Sequence, residues 1–465
     1  MANRLFKKTG LYFVGNFSSK MVTAIIVPIY AAFVSSADLG EYDYLLTLTQ
    51  IMAPVAYLAV WEAILKFSLN EFSHDVGTVI GDALRFNGVM AVFSSVFIVL
   101  GSIALGYAPI NSIMLGIMTF AYASARVWQY GARGLSNSRA YAESGVISSL
   151  SFFASVLLFI CVVRLGFLGL SIAYILGQLS IVGFLEAKCR LMPHVIKDRF
   201  SPALMKSMLR YSTPCVANLV SLFLLIGFGR IVTVHFLGVE ANGQYAFAMK
   251  FATIVTSIGS IFSMAVIEEG IIRSGSKKLS EFYSVVTDAM TKILCGLISI
   301  LLPCILLFYM IIKSTDYGPA AGLTAWILVY AATTVMATQF GSIFMAMNNT
   351  GSIASTTFIG LIITVAVTLV LVLPLQLNGI ILGLVAGTSA MMVSRWVLAR
   401  HALNFKVSIP WTIGLMTAYF IESAIAWHLY AVHAIPLLIV FTIFLMLLYA
   451  PLLLKEFMRL KGISD

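Results

Sequence analysis

Charged side chains are scarce in this sequence: Asp, Glu, Lys and Arg together make up 10% of its 465 residues. A soluble domain carries about 25% charged residues, so the composition excludes an ordinary soluble protein. Hydrophobic residues account for 60% of the chain. They form runs as long as the roughly 20 residues that a helix needs to cross a bilayer. The composition therefore predicts an integral membrane protein with no room for a soluble catalytic domain.

Cysteine pairs and enzyme motifs are missing as well. The five cysteines show no CxxC spacing, so neither a metal site nor a disulfide framework is expected; they are Cys161, Cys189, Cys215, Cys295 and Cys304. The sequence has no P-loop, no HExxH, no GxSxG and no dinucleotide-binding fingerprint. We therefore expect no enzyme and no cofactor. Any transport would draw on an ion gradient, the membrane potential or the gradient of the substrate.

Fourteen hydrophobic segments predict an all-α membrane fold, because each is too long and too uniformly apolar for a tilted barrel strand. The predicted spans are 10–34, 44–65, 86–107, 111–132, 143–163, 167–187, 211–237, 245–268, 286–312, 320–345, 353–374, 378–399, 410–430 and 434–454. The first span is too long for the apolar core of a signal peptide, so we expect it to remain in the protein. The connections are short; the longest, Lys188–Arg210 and Glu269–Phe282, are basic and polar.

The distribution of basic residues predicts the topology. With both termini in the cytoplasm, 24 of the 29 Lys and Arg residues face the cytoplasm or its interface. Only Arg164 and Lys313 face the other side, and Lys20, Arg230 and Lys250 fall within spans. The segment Ser35–Tyr44 is expected to be an external acidic loop. This asymmetry follows the positive-inside rule, and it explains the net charge of +10 without a nucleic-acid partner.

Spaced residues indicate an internal repeat. Phe33, Gly40 and Tyr42 recur 203 positions later as Phe236, Gly243 and Tyr245. At an offset of 210, Gln129–Gly131 recurs as Gln339–Gly341, and Gly169, Ala173 and Gly177 as Gly379, Gly383 and Gly387. The offset spans six helices, so the halves share an orientation and form a parallel repeat. The predicted domains are a six-helix bundle at 1–200, a second at 201–405, and two further helices with a cytoplasmic tail at 406–465. The small residues four apart favour close helix packing.

Ionisable residues within the spans are the candidate functional groups, because a charge at this depth is costly. The cations are Lys20, Arg230 and Lys250, and we expect the last two to be unpaired and to line a wet cavity. The acids are Glu62, which could pair with Lys66 at i+4, and Glu422; both are candidates for coupling to Na⁺ or H⁺. Glu62 lies near the cytoplasmic end of its span, so Glu422 is the one deep acid. Three deep cations against one deep acid indicate an anionic substrate, with phosphate groups as the obvious partners.

The cytoplasmic end of the fourth span offers a second candidate site. Arg126 and Arg133 bracket Gln129 and Tyr130 there. The two arginines could bind a phosphate, and the positive-inside rule explains them equally well.

Three segments carry a resemblance to a known family. The first span ends in Val27–Tyr30 before Asp38–Tyr42, the second ends in Ala63–Phe67, and Phe236–Tyr245 precedes Ala248 and Lys250. Together with the helix number and loop lengths, they resemble the Wzx-type polysaccharide flippases of the multidrug/oligosaccharidyl-lipid/polysaccharide (MOP) exporter superfamily. Similar proteins often carry an Asp before the arginine of the seventh helix, whereas Gly229 precedes Arg230 here.

The resemblance implies two six-helix bundles around a central cavity that opens alternately to either side of a bacterial cytoplasmic membrane. It implies an undecaprenyl-diphosphate-linked oligosaccharide as substrate, for O-antigen, capsule or exopolysaccharide biosynthesis. A polysaccharide polymerase and chain-length proteins are candidate partners. Lys20 and Lys250 would then hold the diphosphate, Arg230 would guard the external side, and the last two helices would form a groove for the lipid tail.

Two other functions compete with the flippase. A cation-coupled multidrug exporter of the same superfamily would need an early membrane-embedded carboxylate, but the first span has Lys20 and no acid. A membrane enzyme that polymerises or ligates glycans would need a large external loop with catalytic charges, and the loops are too short.

The predicted topology can be tested with reporter fusions. A green fluorescent protein placed after Asp465 should fluoresce, and an alkaline phosphatase at the same place should be inactive, because the C-terminus is expected in the cytoplasm. The phosphatase should be active after Arg164. The reverse activities at either position would contradict the topology.

Overall fold

The computed structural model describes residues 25–69, 75–197, 199–273, 278–312, 315–347, 349–405 and 407–464, and this part of the chain is helical throughout, without a β-strand. The helices are α1 (25–33), α2 (Ser36–Ala56), α3 (Val60–Leu69), α4 (Val76–Ala104), α5 (Pro109–Gly134), α6 (Ser138–Val156), α7 (Gly166–Cys189), α8 (Pro193–Lys197), α9 (Pro202–Leu237), α10 (Val239–Ile272), α11 (Lys278–Ile311), α12 (Thr324–Ala346), α13 (Thr350–Leu403), α14 (Ile409–Ala431) and α15 (Ile435–Ser464). A π-helical turn, Leu157–Val162, extends α6, and a 3₁₀ turn, Gly318–Leu323, precedes α12.

Many of these helices can cross a bilayer. In the described residues, eight are long and apolar enough, or nine if the bent pair α2 and α3 counts as one span. The all-helical class and the membrane class are confirmed. The count of fourteen spans and the location of the termini stay predictions, since most of the span 10–34 lies outside the described residues and α13 contains two of the predicted spans.

The segment Ser35–Tyr44 is not the loop that we expected. Helix α2 begins at Ser36, and the side chain of Ser35 caps it by accepting a hydrogen bond from the backbone N–H of Asp38 at 3.1 Å. A capping serine and an acid in the first turn both stabilise a helix start. The prediction was wrong because hydropathy detects apolar residues, whereas this helix begins in a polar stretch.

The predicted span 44–65 is likewise not one straight helix. Leu58 and Ala59 have left-handed φ angles of 49° and 47°, and the segments Ser36–Ala56 and Val60–Ser68 are bent by 57°. Pro54 lies in the last turn of α2, where its missing N–H removes one helical hydrogen bond. The break makes Glu62 a first-turn residue of α3.

A sharp break also divides α13. Gln376 has φ 49° and ψ −130°, two residues after Pro374. The break lies within 375–377, where the predicted eleventh span ends and the twelfth has not begun. Both halves of the helix therefore correspond to the predicted spans 353–374 and 378–399.

The small residues of α13 pack the two halves closely together. A Cβ on Gly379 would collide with the backbone of Leu371, and one on Gly387 would collide with Thr364. Gly169 in α7 is crowded in the same way by Phe159 and Ile160. The interpretation of these residues as packing surfaces is thus confirmed.

The predicted connection Lys188–Arg210 is partly helical, because it contains α8 and the first residues of α9. It is tied to α4 through Asp82, which is fully buried and pairs with Arg85 at 2.7 Å. The second carboxylate oxygen of Asp82 accepts the backbone N–H of Ser201 at 3.1 Å. Arg85 also donates to the carbonyl of Val195 in α8 at 2.6 Å. One buried acid therefore anchors both the short helix and the start of α9.

Contacts divide the chain into two compact units, Met1–Ile231 and Val232–Asp465. The core of the first unit includes the buried rings of Tyr57, Trp61 and Trp128. In the second unit, Phe247 stacks on Tyr317 with ring centroids 4.2 Å apart. The predicted division into two six-helix bundles with boundaries near 200 and 406 stays a prediction.

Replacing Asp82 by Ala should destabilise the protein strongly. The change removes the carboxylate that accepts from Arg85 Nη1 and from the Ser201 amide, and breaking a buried pair costs about 3–5 kcal/mol. Arg139→Ala is the control. It removes the ion pair between Arg139 and Glu143, and the Arg139 side chain is 74% exposed. An exposed ion pair contributes about 0–1 kcal/mol to stability. Thermal unfolding in detergent should show a large decrease for the first variant and almost none for the second. Equal decreases would contradict this account.

Candidate functional site

One face of α5 carries alternating aromatic and cationic side chains. Tyr122, Arg126, Tyr130 and Arg133 follow one another at intervals of four, four and three residues, which places them on the same side of the helix. Tyr122 is buried, and Arg126, Tyr130 and Arg133 are half-buried. The two arginines are therefore held within the first unit rather than extended into solvent.

The two guanidinium groups are held by rings and an amide. The Arg126 guanidinium lies 4.9 Å from the centroid of the Tyr122 ring, and its Nη1 donates to Gln129 Oε1 at 3.4 Å. The Arg133 guanidinium lies 5.6 Å from the Tyr130 ring and 5.3 Å from the Tyr141 ring. All three ring distances fall within the range of cation–π attraction.

Helix α3 brings one acid and one further cation to this end of the unit. The Tyr130 hydroxyl donates to Glu62 Oε1 at 3.0 Å. The Lys66 ammonium lies 3.8 Å from the ring centroid of Tyr211 in α9. Instead of the suggested i, i+4 pair, Glu62 and Lys66 each have an aromatic partner.

The group formed by Glu62, Lys66, Arg126, Tyr130 and Arg133 is here named the α5 cation cluster. Over the described stretches of the chain, no ion pair joins its three cations to a carboxylate. Because Glu62 is the one acid in the group, the cluster carries an excess positive charge. Guanidinium groups in this state can bind phosphate or carboxylate through charge-assisted hydrogen bonds. A substrate-binding role for Arg126, Gln129 and Arg133 stays a prediction.

Arg230 is not the unpaired cation that we expected. Its Nε lies 2.5 Å from Asp43 Oδ2, and the two side chains are 16% and 6% exposed. The prediction failed because Asp43 was assigned to an external loop, whereas it lies on α2, beside α9. The acid that similar proteins place before this arginine is absent from α9, and α2 supplies one instead.

The other two deep cations have different outcomes. Lys250 lies in α10 and is engaged in an interaction, so the expectation that it is unpaired is also wrong. Lys20 lies outside the described residues. Their roles in holding a diphosphate stay predictions.

Glu422 lies near the middle of α14, as the sequence predicted. Its Oε1 accepts a hydrogen bond from the Tyr449 hydroxyl of α15 at 2.7 Å, and its Oε2 is buried without a hydrogen-bond partner. A role in ion coupling stays a prediction for Glu422, as it does for Glu62.

Sequence reasoning missed the environment of Arg395, which it assigned only to the cytoplasmic side. Arg395 is 6% exposed and donates to the hydroxyls of Thr356 and Thr357 at 3.1 and 2.9 Å and to the carbonyl of Ala337 at 2.8 Å. No carboxylate pairs with it among the described residues. The guanidinium thus joins both halves of α13 to α12 through neutral oxygens. The position of a basic residue near the end of a span does not predict that its side chain is buried.

The fold is shared with solved transporters. An inward-facing multidrug resistance MATE family transporter of the MOP superfamily matches with a TM-score of 0.70 and 14% identity, over 83% of this chain and 94% of that chain. The lipid II flippase MurJ, in an inward closed conformation, matches with a TM-score of 0.68 and 12% identity, over 97% and 100%. An outward-facing MATE transporter matches with a TM-score of 0.56 and 14% identity, over 85% and 94%.

The chain has the fold of MOP-superfamily transporters. It is a multi-pass membrane protein, as its apolar helices and these neighbours together indicate. No sequence model of a protein family matches the chain, and no curated protein sequence does. At identities of 12–14%, the likeness shows the fold alone.

Exchanging the charges of Asp43 and Arg230 tests the buried ion pair. Asp43→Arg and Arg230→Asp each place two like charges together, so each single variant should lose about 3–5 kcal/mol of stability. The double variant restores opposite charges and should unfold at a higher temperature than either single variant. The same exchange at Arg139 and Glu143, an exposed pair, should give almost no coupling. Strictly additive losses at Asp43 and Arg230 would exclude the pair.

Proposed function

We propose that this protein is a transporter that flips a polyprenyl-diphosphate-linked oligosaccharide across a bacterial cytoplasmic membrane by alternating access. The observation that carries the proposal is the α5 cation cluster, in which two half-buried arginines are held by rings and an amide rather than by acids. Half-buried cations that lack an acidic partner favour an anionic substrate.

The chemistry of the cluster suits a diphosphate. A guanidinium group matches phosphate oxygens with two parallel hydrogen bonds, and neither Arg126 nor Arg133 forms an ion pair with a described carboxylate. Tyr122, Tyr130 and Tyr141 hold the guanidinium planes in place, which lowers the conformational entropy that binding costs. The cluster lies at the predicted cytoplasmic end of α5, where a newly made lipid-linked sugar would enter.

The extent of the structural likeness also supports a lipid-linked substrate. The match to the lipid II flippase extends over 97% of this chain, whereas the two MATE structures cover 83% and 85%. We propose that the sugar and diphosphate enter the protein while the polyprenyl tail stays in lipid beside α14 and α15. Lys20 and Lys250 would hold the diphosphate during transfer, and Glu62 or Glu422 would couple it to H⁺ or Na⁺.

A multidrug exporter is the second candidate, because MATE transporters share the fold. A cationic drug needs a free carboxylate in the membrane. Asp43 does not offer one, since it pairs with Arg230. Glu62 is bonded to Tyr130 and lies among cations. The charge of the first unit therefore favours an anionic substrate over a cationic drug.

The proposal predicts that Arg126→Gln and Arg133→Gln fail to restore surface polysaccharide in a strain that lacks its flippase, because both remove phosphate ligands. Lys20→Ala and Lys250→Ala should fail in the same way. Lipid-linked units should accumulate on the cytoplasmic leaflet while protein levels stay normal. Arg139→Gln removes an exposed, ion-paired arginine and should restore the polysaccharide fully.

Two outcomes would overturn the proposal. The first is full complementation by Arg126→Gln, Arg133→Gln and both lysine variants. The second is a wild-type protein that fails to complement and raises the tolerance of a drug-sensitive strain to cationic drugs, which would establish the exporter instead.

A further inference from the structure

Glu422, an acid of the second unit, lies where α11, α14 and α15 meet. Glu422 of α14 contacts the hydroxyl of Tyr449 in α15, and Ser299 of α11 lies beside the same phenol. Leu415, Leu445 and Cys295 form the apolar cluster around Tyr449. Three oxygen-bearing side chains from three helices therefore converge in an apolar setting.

Two oxygens of this group have no hydrogen-bond partner in the described part of the chain. They are Glu422 Oε2 and Ser299 Oγ, and both are buried. A buried polar oxygen without a partner costs free energy, and an ionised carboxylate costs much more. The described residues provide no basic side chain in ion-pair contact with Glu422. Among the described residues, no side chain balances the charge of this acid.

We propose that Glu422, with the hydroxyls of Ser299 and Tyr449, forms a binding site for a monovalent cation, either H⁺ or Na⁺. A proton on Oε2 would remove the charge, and a sodium ion would neutralise it, with the Glu422 carboxylate and the hydroxyls of Ser299 and Tyr449 as the side chains that would hold the ion. Either occupant satisfies the oxygens that the protein leaves without partners. Carboxylate and hydroxyl oxygens are suitable ligands for a hard cation.

The titratable groups around the site are few. Helix α11 presents Cys295, α15 presents Tyr449, and α14 itself presents Tyr419, one turn before Glu422. Tyr419 donates to the carbonyl of Ala325 in α12 at 2.8 Å. None of these groups carries a positive charge, so Glu422 is the group whose charge changes when the cation binds.

A second buried acid of the same unit provides an internal comparison. Glu456 of α15 has a side chain that is only 5% exposed, but Lys292 lies 3.1 Å and Arg459 lies 3.3 Å from its oxygens. Asp288 completes that network through both cations. Glu456 therefore has its charge balanced by protein side chains and needs no added cation.

A lipid-soluble carbodiimide tests the site without any transport assay. A protonated carboxyl adds across one C=N bond of the reagent: its oxygen bonds to the central carbon and its proton moves to nitrogen. The acyl group then shifts from oxygen to nitrogen, and nothing leaves, so the residue gains the mass of one carbodiimide. Phe420, Ile421 and Ile425 are exposed beside Glu422, so the reagent can reach it from lipid.

Purified full-length protein in vesicles should be labelled at Glu422 in acidic buffer, with labelling lost as the pH rises. Glu456 should stay unlabelled in the same digest, and Glu422→Gln should abolish the labelling. If Na⁺ is the occupant, adding Na⁺ at constant pH should protect Glu422 in the wild type, and Ser299→Ala should lose that protection. If H⁺ is the occupant, Na⁺ should have no effect. Either pattern supports the site.

Absence of labelling at every pH, or labelling of Glu456 to the same extent as Glu422, would overturn the inference. Glu422→Gln could lose its labelling through misfolding alone, so Tyr449→Phe serves as a second variant. It changes the same contact but keeps the acid, and Glu422 should still be labelled in it. The proposed site deepens the proposed function, which names Glu422 as a candidate coupling residue, and it rests on that function for its role in transport; its test does not, since the readout involves no substrate. A flippase without labelling, or a labelled protein that does not flip lipid, would separate the two.

Discussion

The hydrocarbon core of a membrane has no water to accept or donate hydrogen bonds, so a polar group placed there is costly unless the protein or a bound ligand supplies its partner. This structure meets that constraint in different ways at different cations. Arg230 forms an ion pair with the carboxylate of Asp43. Arg395 has the hydroxyls of two threonines and a carbonyl oxygen. The arginines of the α5 cation cluster have aromatic rings and one amide. The partner of each cation determines whether its positive charge is still available to a ligand.

Paired and ring-held cations have different consequences for function. An ion pair such as that of Lys292 and Glu456 cancels most of its own field, so a charged substrate gains little by approaching it. A ring attracts a cation without cancelling its unit charge, so Arg126 and Arg133 still present that charge to an anion. Under the proposed function, a phosphate would therefore enter the cluster without first breaking an ion pair between described residues.

Much of the fold could be predicted from the sequence, since apolar runs and the positions of basic residues report directly on the membrane. The packing role of Gly379 and Gly387 could be predicted too, because small residues four apart have one common use in membrane helices. The partner of Arg230 could not, because Asp43 lies 187 positions earlier in a stretch whose polarity resembled a loop. The burial of Arg395 could not be predicted either, since its partners are hydroxyl and carbonyl oxygens that follow no sequence spacing rule. The Tyr122–Arg133 periodicity was readable, and a helical-wheel argument would have found it.

The break between α2 and α3 has an electrostatic consequence. Because the helix restarts at Val60, Glu62 lies in its first turn, where the partial positive charge of a helix N-terminus favours a negative side chain. That charge offsets part of the carboxylate, so Glu62 draws less on the neighbouring guanidinium groups. A continuous helix would place Glu62 in mid-helix, without that field, and the acid would compete more strongly with an incoming phosphate. Under the proposed function, the kink would thus leave more of the local positive field to an anionic substrate.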